Sequence, residues 1–112
     1  MKIYHNPRCS KSREALQLIK DAGIDVEIVE YLKEIPTAEE LKTILMKLNL
    51  SPKDIIRKGE PVYKEKFKNS NFNEDEWIKI MIEYPKLIER PIVIKGNKAI
   101  LGRPPENVLD LI

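Results

Sequence analysis

The fold is decided at the start of the chain, which reads Lys2-Ile3-Tyr4-His5 and then Asn6-Pro7-Arg8-Cys9-Ser10. Residues 2–5 predict a short strand, and the periodic apolar positions of residues 10–22 predict a helix that ends at Gly23. The alternating residues 26–31 predict a second strand. A strand, a helix and a strand with short joints form a βαβ unit, so we expect a right-handed crossover and two parallel strands.

The remaining chain predicts a helical middle and a terminal hairpin. Thr37 and Glu40 fit a capping box ahead of an apolar stripe, and Trp77 lies in a later run with core spacing. Residues 91–95 and 98–101 flank Gly96-Asn97, which is typical of a tight hairpin turn, and residues 105–111 predict a last helix. We therefore expect one α/β domain over residues 1–112. It would hold a four-stranded mixed sheet flanked by helices, with a helical insertion between the βαβ and ββα halves.

Cys9 is the only cysteine, and it lies at the predicted start of the first helix. A helix N-terminus has unpaired backbone N–H groups and a partial positive charge, which favour a thiolate over a thiol. Lone cysteines are often inert, buried, small apolar residues. Here Arg8, Lys11 and Arg13 surround the thiol with charge, and none of the adjacent residues resembles a core. Cys9 is therefore a candidate nucleophile.

Composition restricts the class of protein. One cysteine cannot form an internal disulfide, so we expect a reducing compartment, the cytoplasm. No segment has the length and apolar character of a membrane span or a secretory signal. Twenty basic and eighteen acidic residues give a net charge of +2 and alternate along the chain, which disfavours nucleic-acid binding. One cysteine and one histidine do not supply a metal site.

We expect the protein to be a monomer.

Three arginines lie at predicted element boundaries: Arg57 at a helix end, Arg90 before the third strand, and Arg103 after the fourth. Side chains at such boundaries project from the rim of the sheet. Most surface arginines are simply solvated. Position alone does not show whether these three are solvated or bind an anion.

Four ordered segments resemble one family, the glutaredoxin-coupled arsenate reductases and their relatives with the thioredoxin-like fold. The first is the segment from Ile3 to Arg13 around Cys9. The others are Ile55-Ile56-Arg57-Lys58, then Ile88-Glu89-Arg90-Pro91-Ile92-Val93, and finally Gly102-Arg103-Pro104 with Val108-Leu109. The resemblance spans nearly the whole chain and implies a thioredoxin-like fold.

The resemblance also implies roles for individual residues. Cys9 matches the nucleophile of the family, and the three arginines match those that hold the oxyanion. His5 matches a group that favours the thiolate through charge or a hydrogen bond, and Ser12 one that does so through its hydroxyl. His5 is also compatible with a purely structural strand histidine. Pro91 matches the proline that thioredoxin-like folds place beside the active thiol, commonly after a cis bond, although a sequence does not reveal the isomer.

The implied reaction is the reduction of arsenate to arsenite. Guanidinium groups bind tetrahedral oxyanions through charge-assisted, often bidentate hydrogen bonds. The Cys9 thiolate would attack arsenic, and an external thiol must resolve the adduct because the chain holds no second cysteine. The resemblance implies glutathione and then a glutaredoxin as reductants, with no bound cofactor.

Two alternatives remain open. Relatives of the Spx type share the fold and act as regulators that bind RNA polymerase, and those with a thiol switch carry a Cys-x-x-Cys pair. Ser12 occupies the second position of that pair here, so an internal disulfide switch is excluded. The other alternative is a thiol reductase of the same fold that acts on a different substrate.

Overall fold

Four strands form one mixed sheet in the order β2-β1-β3-β4 in the computed structural model, which describes residues 1–112. The strands are β1 (Lys2–Tyr4), β2 (Glu27–Val29), β3 (Ile92–Lys95) and β4 (Lys98–Leu101). β1 pairs parallel with β2 and antiparallel with β3, and β3 pairs antiparallel with β4. The predicted four-stranded mixed sheet is confirmed.

The chain divides into two compact units, residues 1–35 with 90–112 and residues 36–89. The first unit contains the whole sheet and the helix α1 (Ser10–Asp21). Ala15 and Ile19 of α1 are fully buried, and they pack with Ile3 and Val93, which are register partners in β1 and β3. Val108 completes this core from the C-terminal segment. Each fully buried isoleucine or valine side chain of this core stabilises the fold by about 1.5–3 kcal/mol.

β2 is an edge strand and is shorter than the alternating pattern of residues 26–31 predicts. Ile28 remains 41% exposed, and its neighbour Glu27 is also exposed. Alternation in a sequence does not show that another element covers one face of the strand, and a side chain stays exposed where nothing packs against it.

The second unit contains α2 (Ala38–Leu48) and α3 (Glu74–Glu83). Thr37 and Glu40 form the predicted capping box of α2, with Glu40 N–H donating to Thr37 Oγ1 at 3.1 Å. Trp77 is buried, as the spacing predicts, and packs in a cluster of five aromatic side chains, Tyr63, Phe67, Phe72, Trp77 and Tyr84. The unit therefore has its own apolar core.

Two details differ from the predicted elements. The predicted last helix is a 3₁₀ helix over Pro105–Asp110, with a proline at its first position. A π-helical turn, Tyr63–Phe67, occupies a stretch without a clear pattern. Short 3₁₀ and π helices differ from an α-helix in their local hydrogen-bond pattern, and the spacing of apolar residues does not reveal that pattern. The prediction of a single domain over residues 1–112 stays a prediction.

Candidate active site

Cys9 is the N-cap residue of α1, with φ −95° and ψ 121°. Its backbone carbonyl accepts from Arg13 N–H at 3.0 Å, and its own N–H donates to the Asn6 carbonyl at 3.0 Å. The Asn6 side chain also accepts from Arg8 N–H at 3.0 Å. These bonds hold the turn before the helix, so the half-buried thiol lies where the free N–H groups of the first helical turn converge.

The pKa of Cys9 is lowered from its ordinary value by the balance of opposing effects. Partial burial raises the pKa, because it disfavours the charged thiolate. The backbone N–H groups of Ser12 and Lys11 and the hydrogen bond and positive charge of Arg90 lower it, and together they outweigh burial. The predicted anionic nucleophile therefore has a physical basis.

Arg103 and Arg90 lie beside the thiol. Arg103 Nη1 lies 3.8 Å from Cys9 Sγ and donates to the Arg90 carbonyl oxygen at 3.3 Å. The sheet explains why they meet: Ile92 pairs with both Tyr4 and Leu101, so the C-terminal ends of β1 and β4 and the start of β3 share one edge. Residues just outside those ends project into the same region.

Two peptide bonds at this edge, Arg90-Pro91 and Arg103-Pro104, are cis. Gly102, which directly precedes the second of them, lies close to Pro91 and Ala15. Sequence reasoning did not identify this glycine as part of the site. Its N–H donates to the Pro91 carbonyl at 2.9 Å, and a Cβ at this position would lie 2.7 Å from Pro91 Cγ and 3.3 Å from Ala15 Cβ. The glycine directly before Arg103 was the signal available in the sequence.

Ser12 is fully buried and joins His5 to the turn before Cys9. Its Oγ lies 2.6 Å from His5 Nδ1 and accepts from Asn6 N–H at 3.1 Å. Asn6 in turn accepts the Cys9 N–H, so one serine hydroxyl connects the end of β1 with the loop that carries the nucleophile.

His5 is 6% exposed, and burial lowers its pKa. Glu30 acts in the opposite direction, while Lys20 and Arg13 lower the pKa further. The neutral ring is therefore favoured at neutral pH. Of the two ways in which His5 was expected to support the thiolate, this geometry favours the hydrogen bond through Ser12.

Arg57 belongs to the second unit, where two carboxylates hold it. Its Nη1 lies 2.8 Å from Glu89 Oε1, its Nε lies 3.4 Å from Glu60 Oε1, and its side chain is 23% exposed. The backbone N–H of Arg57 donates to the Leu87 carbonyl next to an antiparallel bridge between Ile56 and Ile88. Sequence reasoning missed both carboxylate partners, although Glu89 directly precedes Arg90 and Glu60 lies three residues after Arg57. The role of Arg57 as an oxyanion ligand stays a prediction.

No three or more side chains among His, Cys, Asp and Glu lie close enough together to hold a metal ion. No helix is long and apolar enough to cross a membrane, and α1, with 12 residues, is the longest.

Comparison with known proteins adds to this geometry. The model of the ArsC family matches residues 4–111. The chain is 46% identical to the uncharacterized protein YfgD of Escherichia coli, over 100% of this chain and 96% of that one. It is 46% identical to an arsenate reductase of Neisseria meningitidis, over 96% and 94%.

Among solved structures, the arsenate reductase from Vibrio cholerae matches with a TM-score of 0.94 and 44% identity, over 100% of this chain and 98% of that one. The family and the fold predicted from the four motifs are therefore confirmed.

Proposed function

Because this chain belongs to the ArsC family, we propose that it is an oxidoreductase that reduces arsenate to arsenite, with Cys9 as the nucleophile. The observation that carries the proposal is the site itself. A cysteine whose pKa is lowered stands at a helix N-terminus with Arg103 Nη1 3.8 Å from its sulfur and Arg90 hydrogen-bonded to it. The names of full-length relatives, arsenate reductases at 43–46% identity, support the same substrate.

Arsenate is a tetrahedral oxyanion with one to two negative charges at neutral pH. The Arg90 and Arg103 guanidinium groups offer it charge-assisted hydrogen bonds next to the thiolate, and we expect Arg57 to contribute a third. The same arginines stabilise the thiolate before the substrate arrives, so they hold the anionic nucleophile close to the anionic substrate despite the repulsion between the two.

In the first step the Cys9 thiolate forms a bond to arsenic, and one arsenate oxygen leaves as hydroxide or, after protonation, as water. Arsenic stays pentavalent in this adduct. His5 and Ser12 contribute by holding the turn that positions Cys9, through the 2.6 Å contact between them.

In the second step an external thiol supplies the electrons, because the chain has one cysteine. Its thiolate attacks the Cys9 sulfur, and the sulfur–arsenic bond breaks with its electron pair left on arsenic, which becomes trivalent. The products are arsenite and a mixed disulfide at Cys9. A second thiol attacks the mixed disulfide and releases the Cys9 thiolate. We assign the first thiol to glutathione and the second to a glutaredoxin, in a reducing cytoplasm and with the protein as a monomer.

The test is an arsenate reduction assay in which glutathione and glutaredoxin are each present or omitted. Turnover should require both thiols and should vanish in Cys9→Ser, while circular dichroism shows that the variant keeps its fold. A serine variant that reduces arsenate at the wild-type rate would refute the nucleophile. A wild-type protein that cycles through the mixed disulfide without reducing arsenate would indicate a thiol reductase with another substrate.

A further inference from the structure

A cleft of about 250 Å³, lined by both apolar and charged side chains, opens next to the loop that precedes Cys9. One wall is the turn with Pro7 and Arg8, and the other is the segment after β2, with Glu30, Leu32 and Lys33. All of these residues lie in the first unit. No step of the proposed reaction uses the cleft.

Both walls are held by backbone hydrogen bonds. His5 N–H donates to the Val29 carbonyl at 2.8 Å, which joins the two walls at their base. On the far wall the N–H groups of Lys33 and Glu34 both donate to the Glu30 carbonyl, at 2.9 and 2.8 Å. The Asn6 bonds to Arg8 and Cys9 hold the near wall. The cleft is therefore formed in advance, and a ligand need not order either wall.

The side chains of the cleft suit a ligand that carries charges of both signs. Arg8 and Lys33 are exposed cations on opposite walls, and Glu30 is a half-exposed anion whose carboxylate lies 3.8 Å from Lys33 Nζ. Pro7 and Leu32 add exposed apolar surface between them. A free amino-acid end, with an ammonium and a carboxylate on one carbon, can bind a lysine and a glutamate at once.

We propose that this cleft binds the zwitterionic end of the peptide thiol that resolves the Cys9 adduct, an inference that rests on the proposed function for the identity of that thiol. The ligand class is a short peptide with a central cysteine and charged ends, the class to which glutathione belongs. Arg8 and Lys33 take the carboxylate of that end, and Glu30 takes its ammonium group.

The cleft adjoins the loop that carries the nucleophile, because Arg8 is one of its lining residues. Arg8 directly precedes Cys9, and consecutive Cα atoms are about 3.8 Å apart. An extended tripeptide spans roughly 10 Å, so a peptide with one end in the cleft has its central side chain within about one residue of the wall. We expect the thiol of such a peptide to reach Cys9 Sγ, whereas a small neutral thiol would gain nothing from the charged groups of the cleft.

The test measures mixed-disulfide formation at Cys9 without arsenate, by mass spectrometry. The Cys9 thiolate attacks oxidised glutathione, and one glutathione thiolate leaves. Neutral hydroxyethyl disulfide serves as the reference oxidant. Lys33→Ala should slow the reaction with oxidised glutathione about two- to fivefold, the range for an exposed ion pair, and leave the reference reaction unchanged.

The matched control is Lys2→Ala. Like Lys33 Nζ and Glu30, Lys2 Nζ lies 3.8 Å from a carboxylate, that of Glu27, but this pair is at the starts of β1 and β2, whereas the cleft lies beyond their ends. It should leave both reactions unchanged. Glu30→Gln distinguishes a defined binding site from general attraction of an anion. It should slow the reaction if Glu30 holds the ammonium group, and accelerate it if Arg8 and Lys33 merely attract an anion.

An equal effect of Lys33→Ala on both oxidants, no effect on either, or acceleration by Glu30→Gln would overturn the proposal. Because arsenate takes no part in this assay, its failure and that of the proposed function are distinguishable. Discrimination between the oxidants in a protein that does not reduce arsenate would support the cleft and refute only the substrate.

Discussion

Arg103 Nη1 lies 3.8 Å from Cys9 Sγ, although 94 positions separate the two residues in the sequence. The same nitrogen donates to the Arg90 carbonyl at 3.3 Å, so the segment that precedes β3 holds the Arg103 side chain in place. The contact places one guanidinium next to the thiol before any oxyanion binds. The two neighbouring arginines nevertheless differ in their effect on the thiol.

Arg90→Ala should raise the pKa of Cys9 more than Arg103→Ala. Arg90 lowers that pKa through both a hydrogen bond and its charge, whereas the Arg103 contact is long. The measurement is the rate of iodoacetamide alkylation against pH, which for the wild type should have a midpoint below about 8.5. Arg90→Ala should slow alkylation several-fold at neutral pH. A wild-type midpoint at the ordinary cysteine value would contradict an activated thiol.

Ser12→Ala should destabilise the protein by about 1–3 kcal/mol, because it removes the partner of two buried groups, the His5 ring nitrogen and the Asn6 N–H. Ser10→Ala is the matched control, since Ser10 is an exposed serine in the same helical turn. Urea unfolding of the three proteins gives the free energies. Equal stability of the two serine variants would show that the buried network contributes nothing.

Stability should fall on acidification as His5 titrates. Its pKa is lowered in the folded state, mainly by burial, so between that folded value and about 6.5 the unfolded chain binds the proton more readily. The free energy of unfolding should therefore decrease as the pH falls through about 6.5, and it should level off below the folded pKa.

His5→Gln should remove this part of the pH dependence. Because the chain has one histidine, the NMR titration of its ring protons gives the folded pKa without overlap. A midpoint above 6.5 would contradict the prediction and would favour a charged ring beside the site.

Gly102→Ala should destabilise the first unit by about 1–3 kcal/mol, since its Cβ would lie 2.7 Å from Pro91 Cγ and a side chain there overpacks the site. Arg103 follows directly, so the rate of arsenate reduction should fall as well. Gly59→Ala is the control, because a Cβ at Gly59 meets nothing within 4 Å. Thermal unfolding and the reduction assay should separate the two variants.

Much of the fold follows from local patterns. The capping box at Thr37, the helix that starts after Cys9 and the hairpin at Gly96 are each set by interactions within a few residues, so the sequence predicts them. Exposure of Ile28 does not follow, because burial of a strand depends on what packs against it. The 3₁₀ geometry of the C-terminal helix does not follow from the sequence either, since apolar periodicity does not distinguish a 3₁₀ helix from an α-helix.

By itself, the sequence determined the order of the elements, the reactive setting of Cys9 and, through four motifs, the family. Those features depend on short-range chemistry: a cap, a turn, a charge next to a thiol. Only the tertiary structure decided that Arg90 and Arg103 meet Cys9, because strand register brings distant strand ends to one edge. It also decided that Ser12 is buried against His5 and that Glu89 holds Arg57, since each contact joins residues of different elements and depends on how those elements pack.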